Sequence, residues 1–330
     1  MTPCRYPALA LPISPARRAE CGLAVPNLEQ RAVGAYLGLA IGDAPGATVE
    51  FMTPGEIRHH HGVHRQITGG GWLHLRKGQV TDDTEMSLAL GRSILANGRV
   101  EPLAVAEAFS DWMRAKPIDI GNTVRRGIIH YRASGVPEVP ESEHDAGNGG
   151  CMRTLPVALL TLGADEQTIR AASRAQAHVT HHNALADAGT ECIIQMVHAA
   201  LLGKGRQAMK ALADGLGEAW PQYAYAGRPV DNPSGYIVDT LRTVFQCVLA
   251  EEGFEAVLVA VVNRGGDADT TGAIAGMLAG ALLGADAIPT RWLRALDPTV
   301  RAECEDQALR LVSRLLPGPY GRSLRFAVGC

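Results

Sequence analysis

The longest apolar run in the chain, Thr270 to Ala285, is rich in Gly and Ala and is bounded by Asp269 and Asp286. It is too short and too weakly apolar to span a bilayer, which needs about 20 residues. A helix with so few large side chains lets its neighbours come close, so it is expected at the centre of the fold. Helical spacing recurs along the rest of the chain, as in Leu37 and Ile41, Met86, Leu90 and Ile94, Ile193, Val197 and Leu201, and Ile237, Leu241, Val244 and Val248. No stretch alternates as a strand and no repeat stands out. The expected fold class is all-α, a compact orthogonal bundle of many helices. The simplest division is one domain over 29–330 preceded by an extension over 1–28. Pro3, Pro7, Pro12, Pro15 and Pro26 break that extension, which is read as poorly ordered and not as a signal peptide.

Composition removes several classes of function. The formal net charge is -3, and no aromatic residues interleave with the scattered Arg and Lys, so no nucleic-acid partner is expected. The seven cysteines are irregularly spaced without a CxxC pair, which argues against a zinc site or disulfide framework and for a reducing cytoplasm.

The chemistry concentrates in two short acidic clusters: Thr81-Asp82-Asp83-Thr84-Glu85 and Gly266-Asp267-Ala268-Asp269-Thr270-Thr271. Each sits where a helix is expected to begin. Asp82 reads as an N-cap with Glu85 completing a capping box, and Asn97-Gly98 as the stop of that helix. Capping explains one carboxylate, however, and not two spaced by a single residue. If the fold joins the clusters, four aspartates share one volume and repel unless cations neutralise them. Carboxylates and hydroxyls without His or Cys suit two Mg2+ or Mn2+ ions. On their own the clusters fit a phosphohydrolase as well as a glycohydrolase.

Other residues have two readings. Asp119, between apolar neighbours, is either a carboxylate held in a fixed orientation or a helix cap. Glu50 either points inward or caps a turn. The run His59-His60-His61 with His64 reads as a metal tract or, more often for such a run, a solvated helix end, and one of His178, His181 and His182 as facing a pocket. Three breaks, at Gly62–Gly78, Gly135–Gly150 and Ala224–Gly235, either connect helices or line a site, because glycine lets backbone N–H groups approach a ligand.

The segments Gly34–Asp43, Thr81–Thr84, Asp119-Ile120-Gly121-Asn122-Thr123, Asp145-Ala146-Gly147-Asn148-Gly149 and Gly266–Gly272 occur in the order found in the ADP-ribosylglycohydrolase family. Over roughly residues 30 to 315 the chain resembles that family. Val49–Thr53, Gly69–Leu73 and Tyr236–Thr240 resemble the branch acting on dinitrogenase reductase, the nitrogenase iron protein. The resemblance implies an all-α fold with a binuclear Mn2+ or Mg2+ centre at the base of a cleft. It makes Thr81, Asp82, Asp83, Asp267, Asp269 and Thr270 the metal ligands. Asp119 becomes the catalytic carboxylate, and Glu50 lies at the metal and ribose edge. Asn122, Asp145, Gly147, Asn148, Gly149, His181 and Tyr236 line the ADP-ribose pocket. Pro45 stands where the family usually has Leu, and Thr180-His181-His182-Asn183 replaces Thr-His-Asn-His, keeping only the first His in place.

The implied reaction is removal of ADP-ribose from an arginine side chain of ADP-ribosylated dinitrogenase reductase, which reactivates it and releases ADP-ribose. The implied setting is a cytoplasmic monomer with a PII signalling partner and membrane association only through a partner. Two alternatives keep the same residues: hydrolysis of another linkage, ADP-ribosylserine or O-acetyl-ADP-ribose, and a catalytically silent binding relative.

Overall fold

The computed structural model describes residues 25–313, so most of the expected N-terminal extension lies outside the described residues. Fifteen α-helices follow one another: α1 (Leu28–Val49), α2 (Pro54–His61), α3 (Asp82–Asn97), α4 (Pro102–Arg114), α5 (Asn122–Ser134), α6 (Gly149–Met152), α7 (Leu155–Leu160), α8 (Glu166–Ala177), α9 (Ala184–Leu201), α10 (Gly205–Ala219), α11 (Ile237–Ala250), α12 (Phe254–Val262), α13 (Ala268–Leu283), α14 (Thr290–Ala295) and α15 (Pro298–Ser313). Among the described residues there is no strand; β-type pairing is confined to isolated bridges, Gly70 with Leu75 and Gly147 with Tyr236. The all-α expectation holds. No described helix is long and apolar enough to cross a membrane.

The centre of the fold is an antiparallel pair, α1 and α13, packed backbone to backbone. A Cβ at Gly38 would lie 2.1 Å from the Gly276 carbonyl oxygen, and one at Gly42 would lie 1.9 Å from that of Gly272. The same crossing repeats at Gly34 with Gly280 (2.5 Å) and at Gly46 with Ala268 (2.3 Å). The contacts recur every fourth residue along one ridge of each helix, so glycine at each rung lets the backbones meet. Both helices are buried nearly all round, which is why neither shows a polar face. Arg31 closes the far end of the ladder by donating to the Ala281 carbonyl at 3.1 Å and to that of Leu282, a cation at the C-terminus of α13.

This ladder fixes the site. Gly46 sits against Ala268 and Asp269, so the end of α1, carrying Asp43 and Glu50, is pinned beside the start of α13. Helices α3, α9, α11 and α15 pack around the pair, and one continuous apolar core runs through them. Gly98 ends α3 in the left-handed region at φ 75°, with its N–H on the Ile94 carbonyl, as Asn97-Gly98 predicts. The histidine run divides: His59, His60 and His61 are exposed at the end of α2, but His64 is buried with Nε2 3.0 Å from the Pro45 carbonyl oxygen. His64 therefore belongs to the core and not to a solvated helix end.

A carboxylate centre at the head of a cleft

The capping box expected at α3 does not form. Thr81 is the N-cap and makes no side-chain cap bond, and Glu85 accepts instead from the Trp112 indole at 2.8 Å. The cap comes from another helix. Asp43 of α1 accepts from the Thr81 N–H at 3.0 and 3.1 Å, from the Thr84 N–H at 3.2 Å and from the Thr84 hydroxyl at 2.5 Å. Capping in this way satisfies the orphan N–H groups of α3 and leaves the Asp82 and Asp83 carboxylates free to face the site. Asp43 carries no separate role in the sequence reading; its signal is a single charged residue within the long apolar stretch 32–49 of α1.

The start of α13 is set by Gly265 and Gly266, both at positive φ, where a Cβ would meet the Met52 and Pro233 carbonyl oxygens at 2.1 Å. The helix begins at Ala268, so Asp269 and Thr270 lie in its first turn, just after Asp267. Thr270 Oγ1 lies 3.3 Å from Asp83 Oδ2, joining the two clusters across 187 residues of chain. Carboxylate oxygens of Glu50, Asp267 and Asp269 fall within 4.8 Å of one another. Thr81 Oγ1 also reaches Asp83 Oδ2 at 3.3 Å, and Asn148 donates to Asp267 Oδ2 at 2.5 Å. Glu50, Asp82, Asp267, Asp269 and Thr270 thus line one cleft, while Asp83 and Thr81 do not line it and join the group through Thr270.

None of these carboxylates forms an ion pair with a described Lys, Arg or His. Burial, reinforced by neighbouring carboxylates, pushes Glu50 and Asp82 up to about 8. Asp83 and Asp269 are driven well up for the same reasons. Asp43 rises to about 7 through burial, partly offset by its Thr81 and Thr84 donors. Asp83 Oδ1 is buried with no hydrogen-bond partner. An orphaned oxygen, an uncompensated negative cluster and a purely oxygen donor set fit hard divalent cations.

The cluster heads a cleft of about 640 Å3, within the usual range for a ligand pocket. Each glycine-containing break contributes to its wall: Trp72 from the first, Gly147, Asn148 and Gly149 from the second, and Asn232–Gly235 from the third. Asp119 and Asn122 line it beside Asp82, with Asp119 Oδ1 accepting from Ile120 N–H at 2.8 Å and Asp82 Oδ2 from Gly121 N–H at 3.1 Å. Asp119 is no helix cap, since Gly121 occupies that place in α5. Burial raises its carboxyl above the ordinary range.

Of the three ambiguous histidines, His181 lines the cleft. His178 and His182 stack at 3.7 Å, and Glu138 lies against both. Both rings have protein partners: His178 Nε2 lies 3.0 Å from Asp187 Oδ2, and His182 Nδ1 lies 2.9 Å from the Val139 carbonyl oxygen. With the Val139 N–H on the His178 carbonyl and the Ser142 N–H on that of His182, this pair anchors the second loop. Asp145 and Tyr236 do not reach the cleft wall. Asp145 pairs with Arg126 at 2.6 Å, while Tyr236 stands at the N-cap of α11, bridged to Gly147.

The sequence profile of the ADP-ribosylglycohydrolase family matches residues 24–322. The chain is 48% identical to ADP-ribosyl-[dinitrogen reductase] glycohydrolase of Rhodospirillum rubrum, over 87% of this chain and 97% of that protein. It is 31% identical to the ADP-ribosylarginine hydrolase Tri1 of Pseudomonas putida, over 83% of this chain and 76% of that protein. A solved structure described as an ADP-ribosylglycohydrolase-related protein complex superposes with a TM-score of 0.79 at 34% identity, covering 88% of this chain and 99% of that one.

Proposed function

This chain belongs to the ADP-ribosylglycohydrolase family, and from that premise we propose that it is a metal-dependent hydrolase removing ADP-ribose from an arginine side chain of dinitrogenase reductase. One observation carries the reading: Glu50, Asp82, Asp267 and Asp269 line the head of a nucleotide-sized cleft without a compensating cation, with Asp119 beside them and Asp83 tied in through Thr270. A phosphohydrolase would use the same donors, and the activities for which the relatives are named, on ADP-ribosyl-dinitrogen reductase and on ADP-ribosylarginine, favour the glycohydrolase.

Thr81, Asp82, Asp83, Asp267, Asp269 and Thr270 would hold two Mn2+ or Mg2+ ions, with Glu50 at their edge. When bound, such ions supply positive charge that orients ribose hydroxyls and makes a water more acidic. Every other part of the chemistry falls to side chains and backbone. Asp119 is half-buried, fixed by the Ile120 N–H, and outside both acidic clusters. It takes the proton from water or from a ribose hydroxyl as the bond from the anomeric carbon to the arginine nitrogen breaks; its raised pKa makes it a better base than an exposed carboxylate. Asn148 keeps Asp267 in place through its amide. The pyrophosphate would fall to the cleft-lining Gly147, Gly149, Ser234 and Gly235, since the Asn148 and Asn232 N–H groups already donate to the Gly235 and Arg264 carbonyls and Pro233 has none. The water oxygen takes the place of the arginine nitrogen on the anomeric carbon, and the proton taken up by Asp119 passes to the departing nitrogen, so that arginine leaves as a guanidinium and ADP-ribose is released.

As part of the same proposal, the protein acts as a monomer controlled by a PII-type partner and recruited to the membrane only through a partner. The deciding experiment incubates the protein with arginine-ADP-ribosylated dinitrogenase reductase, with and without Mn2+, and follows the modified arginine by mass spectrometry. Loss of the ADP-ribose mass only with metal is the expected outcome. Hydrolysis of a serine linkage in preference to arginine, or release of phosphate instead of ADP-ribose, would sink the assignment.

A further inference from the structure

Arg153 is fully buried, its guanidinium 4.5 Å from the Phe109 ring centroid, and it forms no ion pair with a described residue. Its Nε donates to Gln176 Oε1 at 2.9 Å, and its Nη2 to the Gln176 carbonyl at 3.0 Å and to Thr180 Oγ1 at 2.8 Å. Gln176 in turn donates to the Gly150 carbonyl at 2.7 Å, tying the same network to the second loop. A guanidinium only donates, so Thr180 Oγ1 accepts from Arg153. The hydroxyl hydrogen of Thr180 then has His181 Nδ1, at 2.8 Å, as its acceptor. Were Nδ1 protonated instead, two donors would converge on Thr180 Oγ1 and its own hydrogen would be stranded in a buried site. The proton of His181 therefore sits on Nε2.

We infer that Arg153 and Thr180 are positioning residues that hold His181 as a neutral imidazole with its Nε2–H turned into the cleft toward an oxygen acceptor of the bound nucleotide. His181 is 4% exposed, lines the cleft, and its Nε2 has no acceptor among the described residues. The loop is shaped around the ring: a Cβ at Gly147 would lie 3.0 Å from His181 Nε2, and one at Gly149 would lie 2.6 Å from Cε1. Burial and the nearby Arg153 charge both work against imidazolium, which holds its pKa near 3, so the donor persists across physiological pH. The acceptor class, a phosphate or ribose oxygen, rests on the function proposed above; the tautomer does not.

The test is a long-range proton–nitrogen NMR spectrum of the His181 ring in full-length protein with Mg2+, alongside the Kd for ADP-ribose. Wild type should show protonated Nε2 and bare Nδ1, unchanged between about pH 5.5 and about pH 8. Thr180→Val, nearly isosteric, should give mixed tautomers and raise the ADP-ribose Kd about three- to tenfold, the worth of one hydrogen bond. Thr180→Ser should restore both. A wild-type ring protonated at Nδ1, or an unchanged tautomer in Thr180→Val, overturns the relay. A shifted tautomer with unchanged Kd overturns the ligand-facing role. Failure of wild type to bind ADP-ribose overturns the proposed function and the acceptor assigned to His181, while the ring spectrum alone still decides the relay.

Discussion

The indole Nε1 of Trp72 donates to Glu50 Oε2 at 2.6 Å, joining an exposed aromatic at the cleft mouth to a buried carboxylate at its head. Burial pushes Glu50 up to about 8; the Trp72 bond opposes this, and Asp119, Asp267 and Asp82 add to it. The indole is thus a neutral donor that favours the ionised form. Phe51, held at φ 64°, lies 5.4 Å from the Trp72 ring. Trp72→Phe keeps an aromatic ring against Phe51 but removes the donor. It should lower kcat/KM for ADP-ribosylarginine about tenfold, the scale of a hydrogen bond to a charged group. Steady-state kinetics and a Mn2+ titration check this; a change below about twofold would mean the bond does not orient Glu50.

Asp119 and Asp269 should fail in different ways. Asp269 is buried and shares the Glu50 and Asp267 group, so Asp269→Ala should lose bound Mn2+ and with it turnover, while the helical spectrum is retained. Asp119 lines the cleft beside Asp82, so Asp119→Ala should keep much of its metal and lose at least about a hundredfold in kcat, as expected for a missing general base. Metal content by mass spectrometry and ADP-ribose release separate the two. Normal turnover in Asp269→Ala refutes the metal assignment, and kcat within a few-fold of wild type in Asp119→Ala refutes the base.

The acidic clusters, the glycine-containing breaks and the central Gly/Ala helix were readable because each breaks a local rule: too many carboxylates for a cap, too many glycines for a mere connection, too few large side chains for an ordinary helix. What the sequence hid is non-local. The partner that caps α3 is Asp43, 38 residues away from Thr81, so the local capping box read into Asp82 and Glu85 does not form. His64 lies three residues beyond exposed His61, yet its ring is buried against Pro45. Neither outcome follows from spacing along one helix, since both depend on where α1 crosses other parts of the chain. Asp145 and Tyr236 likewise sit in segments that shape the cleft, but ion pairing and backbone bridging turn them away from its wall.

Metal-free protein should lose stability as pH rises. The carboxyls of Asp43, Glu50 and Asp82 move from ordinary values near 4 to about 7, 8 and 8 on folding, burial being the main cause. Between those limits the folded state binds more protons than the unfolded one, so stability is full below about pH 4 in this respect and falls toward pH 8. Divalent cations reverse the trend, because they bind the ionised cluster of the native state. The thermal midpoint in chelator should therefore drop between about pH 5 and about pH 8, and the upward shift on adding Mn2+ should be larger at the higher pH. Asp83→Asn, relieving the repulsion around an orphaned carboxylate, should raise the midpoint in chelator and shrink the Mn2+ shift. A Mn2+ shift independent of pH would contradict the clustered, uncompensated charge.

Two glycine-to-alanine changes in helices should have opposite signs. Alanine favours a helix over glycine by about 1 kcal/mol. Gly215, exposed in α10, has no atom within 4 Å of a built Cβ, so Gly215→Ala should gain up to about that amount. At Gly38 the new Cβ would lie 2.1 Å from the Gly276 carbonyl oxygen, a backbone atom on a buried helix that has no rotamer to yield. The methyl must push α1 and α13 apart, which separates Glu50 from Asp267 and Asp269 as well as loosening the core. Gly38→Ala should cost about 3 kcal/mol or more, the upper end for overpacking, and weaken Mn2+ binding along with it. Urea midpoints for the two variants, measured in chelator and in Mn2+, test the pair. If Gly38→Ala is as stable as Gly215→Ala, the backbone ladder is not what sets the distance between the end of α1 and the start of α13.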